Sequence, residues 1–168
     1  MLASELADAL RREELDVGIS FGVPDEEALI QESAWGYSLK AVIPIGHELA
    51  TRTSLSLNEV ASFPMIASSH KYIPGVRKQI DALLKRCAIE PAIAGVASSM
   101  ASYLAQIAAG FGVGLADSGH LQNLQCEGIV CIPLVDPTMK ITTHVLHKRQ
   151  RSVLPTSVQQ FLTHTKSM

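Results

Sequence analysis

The stretch from Ser98 to Asp117, Ser-Ser-Met-Ala-Ser-Tyr-Leu-Ala-Gln-Ile-Ala-Ala-Gly-Phe-Gly-Val-Gly-Leu-Ala-Asp, constrains this chain more than any other. Ser98 or Ser99 can cap a helix by accepting its free backbone N–H groups, and Met100, Tyr103, Leu104, Ile107 and Ala108 then fall at helical spacing on one face. Gly110 stands where such a helix ends in a left-handed residue, and the apolar run from Gly112 to Ala116 reads as a buried strand ending in the turn residues Asp117 to Gly119. A dinucleotide fingerprint needs its glycines after a strand and before a helix. Here the order is reversed, so the glycines serve a tight turn and close backbone packing.

The same alternation runs through the chain. Leu2, Leu6, Ala9 and Leu10 mark one face of a helix through about Arg12, and Leu15 to Ser20 is a strand directly after it. Phe21 to Pro24 leaves that strand as a loop, and the acidic Asp25 to Glu27 is a solvated turn. Tyr37 to Ile45 is a long strand, His47 to Ala50 a loop, and Ser56 caps a short helix to Ala61. Phe63 to Ala67, Pro91 to Val96, Gly128 to Val135 and Lys140 to His147 read as strands; Val76 to Cys87 and Pro155 to Thr165 read as helices. At 168 residues and 47% hydrophobic, the chain buries a sizeable core as one domain or two small lobes. Strands alternating with helices predict α/β architecture with mainly parallel sheets.

Charge and chemistry exclude several functions. A net charge of −2 offers no general basic field for a nucleic-acid backbone or an anionic membrane. Cys87, Cys126 and Cys131 lack the spacing of a zinc or redox site and read as small buried hydrophobes in a reduced compartment. No secretion signal precedes the first helix and no apolar run approaches a membrane span, so the expected location is cytoplasmic. His144 and His147, three apart on a strand, point to opposite faces, so no metal site is expected. Ser69 beside His70 has no nucleophile elbow around it, so no catalytic residue and no cofactor is expected either. What does recur is polar or glycine residues just after strand ends, at Ser20 to Gly22, Ser68 to His70 and Ser98 to Ser99. Ligands collect at the carboxyl ends of strands in open α/β sheets; the competing reading is that these serines only cap helices.

Taken as a set, these residues resemble the effector-binding domain of LysR-type transcriptional regulators. The join from Leu6 to Leu10 through Leu15 to Ile19, the run Val42 to Ala50, Leu57 to Ala61 with Phe63 to Ile66, and Ile132 to Pro137 each match a family pattern in order and spacing. The strongest match is Ile107-Ala-Ala-Gly-Phe-Gly-Val-Gly114. The chain departs from the family at Glu48 in place of proline, at Glu13 in a turn position usually held by glycine, and at Asp117 where proline often follows the strand.

The resemblance implies an α/β, two-lobe fold of the type II periplasmic-binding-protein kind, with lobe I incomplete at its N-terminus. Lobe I would span 1–38 and 140–168, lobe II 39–139, and the chain is read as N-terminally truncated, without the family's winged helix-turn-helix. The implied function is to sense a small-molecule effector in the cleft between lobes, lined by Ser20, Phe21 and Gly22, by Ser68, Ser69 and His70, and by Ser98 and Ser99. Helix N-termini there suit a small anion such as a carboxylate, with Lys71 the only fixed cation nearby and Phe21 packing on an apolar part of the ligand. DNA would be contacted only through the absent N-terminal domain, the full-length regulator would be a homodimer or tetramer, and no membrane is involved. A stand-alone solute-binding protein, an enzyme on the same fold, or a fragment without independent function are the competing readings. On this basis a gel-shift assay at physiological salt should give no sequence-specific retardation of duplex DNA by these 168 residues.

Overall fold

The computed structural model describes residues 2–23, 27–122, 126–149 and 155–165; most of the acidic turn, Asp25 and Glu26, lies outside them. In chain order the elements are α1 (Ala3–Arg11), β1 (Gly18–Ser20), β2 (Leu29–Pro44), a 3₁₀ turn (Glu48–Thr51), α2 (Leu57–Ala61), β3 (Met65–Ser68), α3 (Pro74–Arg86), β4 (Ile93–Ala97), α4 (Met100–Ala108), β5 (Gly114–Asp117), α5 (Ser118–Gln122), β6 (Ile129–Pro133), β7 (Lys140–Lys148) and α6 (Thr156–Thr165). The chain divides into two compact units, one of Met1–Gly36 with Thr142–Met168 and the other of Tyr37–Ile141. Both β2 and β7 run from one unit into the other.

In the first unit β1 pairs antiparallel with β7, Gly18 opposite Leu146 and Ser20 opposite His144. Ala7 and Leu10 of α1 bury against Val23, Leu29 and Leu146, while Val158 and Leu162 of α6 close over Val145. His147 is buried here with its Nε2 3.1 Å from the Glu32 carboxylate and its Nδ1 3.3 Å from the Lys148 carbonyl.

In the second unit β2 is flanked by β5 and β6, both antiparallel to it. The parallel ladder is β3 on β4, and β3 meets β5 through hydrogen bonds from Ile66 N to Val113 O and from Val113 N to Pro64 O. The expectation of mainly parallel sheets is thus corrected. Alternation of strands and helices predicts connections, but a 16-residue strand that passes through both units enters the sheet against the direction of its neighbours. Residues Leu29 to Gly36 of β2 were also missed by the sequence, because Gln31, Glu32, Ser33 and Gly36 break the apolar pattern of a buried strand. Of Asp117 to Gly119, read as turn residues, the buried Asp117 instead closes β5 and Ser118 and Gly119 open α5. The cysteines are corrected as well. Cys131 is exposed on β6, on the face opposite the buried Ile132, and Cys87 and Cys126 are half-buried.

The core of this unit is Val42, Ile66, Ala97, Tyr103, Leu104, Ile107 and Ala116, so the helical face expected from Tyr103, Leu104 and Ile107 is the one that α4 buries. The Tyr103 hydroxyl donates to the Leu115 carbonyl at 2.9 Å and accepts from the Leu115 N–H at 2.7 Å. Gly114 makes this possible: a Cβ there would stand 2.1 Å from the hydroxyl oxygen. Burial raises the pKa of this phenol, which remains a neutral donor and acceptor.

Three helices end alike. After α4, Gly110 N–H bonds Ile107 O and Phe111 N–H bonds Gln106 O, with Gly110 at φ 81°, as the sequence predicts. After α1 the same pair of bonds forms around Glu13 at φ 60°, and after α3 around Ala88 at φ 55°. The left-handed residue of this motif is at ease only as glycine, since Cβ crowds the following carbonyl. Glu13 also accepts from Lys148 Nζ at 2.5 Å, whereas Ala88 is exposed with nothing to lose. Ala88→Gly should therefore stabilise the fold by about 1 kcal/mol, and calorimetry should find Tm raised by about 2–4 °C.

Candidate functional site

The site residues of the second unit come together through the parallel ladder. Ser68 is the partner of Ala97 across β3 and β4, and the Ser69 N–H donates to the Ala97 carbonyl at 2.9 Å. Ser68, Ser69 and His70 therefore leave one strand end beside Ser98 and Ser99, which leave the next. Right after Ser99, α4 begins.

Ser99 is spent on that helix. Its Oγ accepts from the Ser102 N–H at 3.2 Å, and Ser102 Oγ accepts in return from the Ser99 N–H at 3.2 Å. A cap of this kind satisfies the third N–H of the helix and leaves those of Met100 and Ala101 without an intrahelical acceptor. The Ser98 hydroxyl is exposed and makes no hydrogen bond among the described residues. Ser69 Oγ accepts from the Lys71 N–H at 3.2 Å and shapes the turn that leads to α3. His70 is 69% exposed and faces α3, with its Nε2 3.7 Å from an Asp81 carboxylate oxygen.

Charge near these loops differs from the sequence expectation, which saw Lys71 as the only fixed cation. Arg77, one turn into α3, donates through Nη1 to the Ser68 carbonyl at 3.3 Å and through Nε to both Asp81 oxygens at 2.8 and 2.9 Å. A guanidinium nine residues along the chain reaches the strand end because the turn after Ser69 folds α3 back beside β3. Lys71 stands over the Tyr72 ring at 5.3 Å.

In the first unit, Ser20, Phe21 and Gly22 form the loop that leaves β1. Ser20 Oγ donates to the Gly22 carbonyl at 3.3 Å, and Gly22 takes φ 114°, open to glycine alone. Gln31 of β2 latches the loop: its Oε1 accepts from Val23 N–H at 3.2 Å and its Nε2 donates to Val23 O at 3.3 Å. Phe21 is half-buried. The sequence did not point to His144 here, because it arrives opposite Ser20 through a ladder more than 120 residues long in closure. Desolvation lowers the pKa of this imidazole, which favours its neutral form. Among the described residues no group of three or more His, Cys, Asp or Glu side chains could hold a metal ion, and no helix is long and apolar enough to cross a membrane.

The two serines before α4 should separate by stability. Ser99→Ala removes the cap and is expected to cost about 0.5–2 kcal/mol, while Ser98→Ala, at an exposed and unbonded hydroxyl, should leave Tm unchanged to within about 1 °C in thermal melts.

This geometry has known relatives. The LysR substrate binding domain family model matches residues 1–168. The uncharacterized HTH-type transcriptional regulator YybE of Bacillus subtilis (strain 168) is 26% identical over 110 residues, 66% of this chain and 37% of that protein, so the match spans little more than a third of the relative's length. Among solved structures, the BenM effector binding domain with its effector benzoate superposes with a TM-score of 0.82 at 17% identity, covering 99% of this chain and 75% of that one. The effector binding domain of QuiR in complex with shikimate gives 0.80 at 16% identity, covering 99% and 78%. With an α/β fold matching the two-lobe, periplasmic-binding-protein-like effector domains of these regulators, the chain belongs to the LysR substrate binding domain family of transcriptional regulators.

Proposed function

We propose that this chain senses a small, anionic metabolite and thereby controls DNA binding or transcription by a winged helix-turn-helix carried outside these 168 residues. Following the family plan, lobe I comprises 1–38 with 140–168 and lobe II comprises 39–139, and the effector sits between them. The lining residues are Ser20, Phe21 and Gly22 from lobe I and Ser68, Ser69, His70, Ser98 and Ser99 from lobe II. The regulator acts in the cytoplasm as a homodimer or tetramer.

The observation that carries this reading is the hydrogen bond from Ser69 N–H to Ala97 O, which joins the two strand ends and brings Ser98 and the start of α4 beside Ser68 to His70. The unpaired N–H groups of Met100 and Ala101, with about half a positive charge from the helix dipole, suit a carboxylate. Arg77 adds little to that charge, because Asp81 already balances it. Benzoate and shikimate, held by BenM and QuiR, are both carboxylates, which supports the same ligand class here.

The reading is tested by calorimetric titration of the full-length regulator with small carboxylates, benzoate and shikimate first. A ligand should be found whose affinity falls at least about tenfold in the double variant Ser98→Ala, Ser99→Ala, a loss of about 1.4 kcal/mol. A double variant that melts lower yet binds with unchanged affinity would make the serines helix caps alone and move the site elsewhere.

A further inference from the structure

His144 carries a polar atom that the fold leaves unsatisfied. Its Nδ1 is sealed from solvent with no hydrogen-bond partner, the one such side-chain nitrogen or oxygen among the described residues. It faces Gly22, where a Cβ would stand 4.0 Å away, and Gln31, on the other side of that glycine, bonds Val23 through both its oxygen and its nitrogen. A buried N–H without an acceptor is harder to tolerate than a buried lone pair. The proton of the neutral ring therefore resides on Nε2, and this edge of the half-exposed imidazole is the one left to meet solvent or a ligand.

Ser20 is the direct cross-strand partner of His144, so the two side chains share one face of the β1–β7 ladder. The Ser20 hydroxyl has committed its proton to the Gly22 carbonyl, so its oxygen can only accept. One face thus holds a fixed donor, the His144 Nε2–H, beside a fixed acceptor, the Ser20 Oγ, with no charge on either. An alcohol hydroxyl complements the pair by accepting from the imidazole and donating to the serine. A carboxylate satisfies only the donor and leaves the serine oxygen facing negative charge.

We propose that Ser20 and His144 form a hydroxyl-recognising subsite, which selects hydroxylated carboxylates over their deoxy counterparts. This rests on the effector reading above and adds the residue, the ligand group and the direction of each hydrogen bond. The sealed Nδ1 is what sets the direction: it holds the ring in one tautomer, so that the subsite is preorganised before any ligand arrives.

The test uses the full-length protein, labelled with ¹⁵N at histidine and at backbone amides, with shikimate and cyclohex-1-enecarboxylate as a matched pair of probes. Without ligand, long-range ¹⁵N–¹H spectra at neutral pH should show His144 as the Nε2–H tautomer; an Nδ1–H tautomer or an imidazolium would overturn the proposal. Shikimate should shift the His144 Nε2–H and bind at least about tenfold more tightly than the deoxy probe. That advantage should vanish in His144→Phe, which keeps a planar ring without polar atoms, and return in part in His144→Gln, which restores a donor. If both probes shift the Ser98 and Ser99 amides with equal affinity and leave His144 unmoved, the subsite is wrong while the effector site stands. If neither probe disturbs the Ser98 and Ser99 amides or His144, the subsite and the carboxylate site fall together.

Discussion

The second unit depends on one side chain that behaves as a piece of backbone. Tyr103 sends its hydroxyl into the sheet, where it both gives to and takes from Leu115, so a strand residue whose polar groups face a helix rather than another strand is still fully paired. Removing water strengthens both bonds and makes their absence costly. Because Leu115 is also the partner of Ala41 on β2, the clasp links α4 through β5 to the strand that crosses between the units. The start of α4 is thereby held in place relative to the ends of β3 and β4, with Ala97 of β4 and Ile66 of β3 in the same core as Tyr103.

Rigidity of this kind suits a binding domain built with little charge. The strand ends of the second unit offer hydroxyls, a capped helix start and an arginine already balanced by Asp81. The loop of the first unit offers a serine, a glycine and an imidazole whose pKa burial lowers. In the proposed site such groups would each interact modestly with a ligand, so their worth would lie in being aimed beforehand. Each loop is correspondingly fastened by its own side chains: Gln31 on Val23, Ser20 on Gly22, Ser69 on Lys71 and Ser99 on Ser102.

Much of this was legible locally. The helix face of Tyr103, Leu104 and Ile107 followed from 3.6-residue spacing, a serine cap from the pair Ser98 and Ser99, and the left-handed end from Gly110, because each depends on residues within a turn or two of one another. Glu13 shows the limit of the same logic. The family pattern puts glycine there and the structure confirms a left-handed backbone, yet the glutamate stays, tied to Lys148 from a strand 135 residues away. Strand direction was not legible, since alternation of elements does not say which strands become neighbours.

By itself, the sequence determined most of the helices and strands, though not the first half of β2 or α5, together with the left-handed end of α4 and the stripe of α4 that goes inside. These follow from periodicity and from the few residues that can end a helix. The tertiary structure alone decided that β2 runs antiparallel between β5 and β6, that Arg77 folds back to the Ser68 carbonyl, and that His144 lies opposite Ser20 with one nitrogen sealed behind Gly22. Pairings of this kind join residues far apart in the chain, and their energy comes from burial and from hydrogen bonds that exist only once the strands have met.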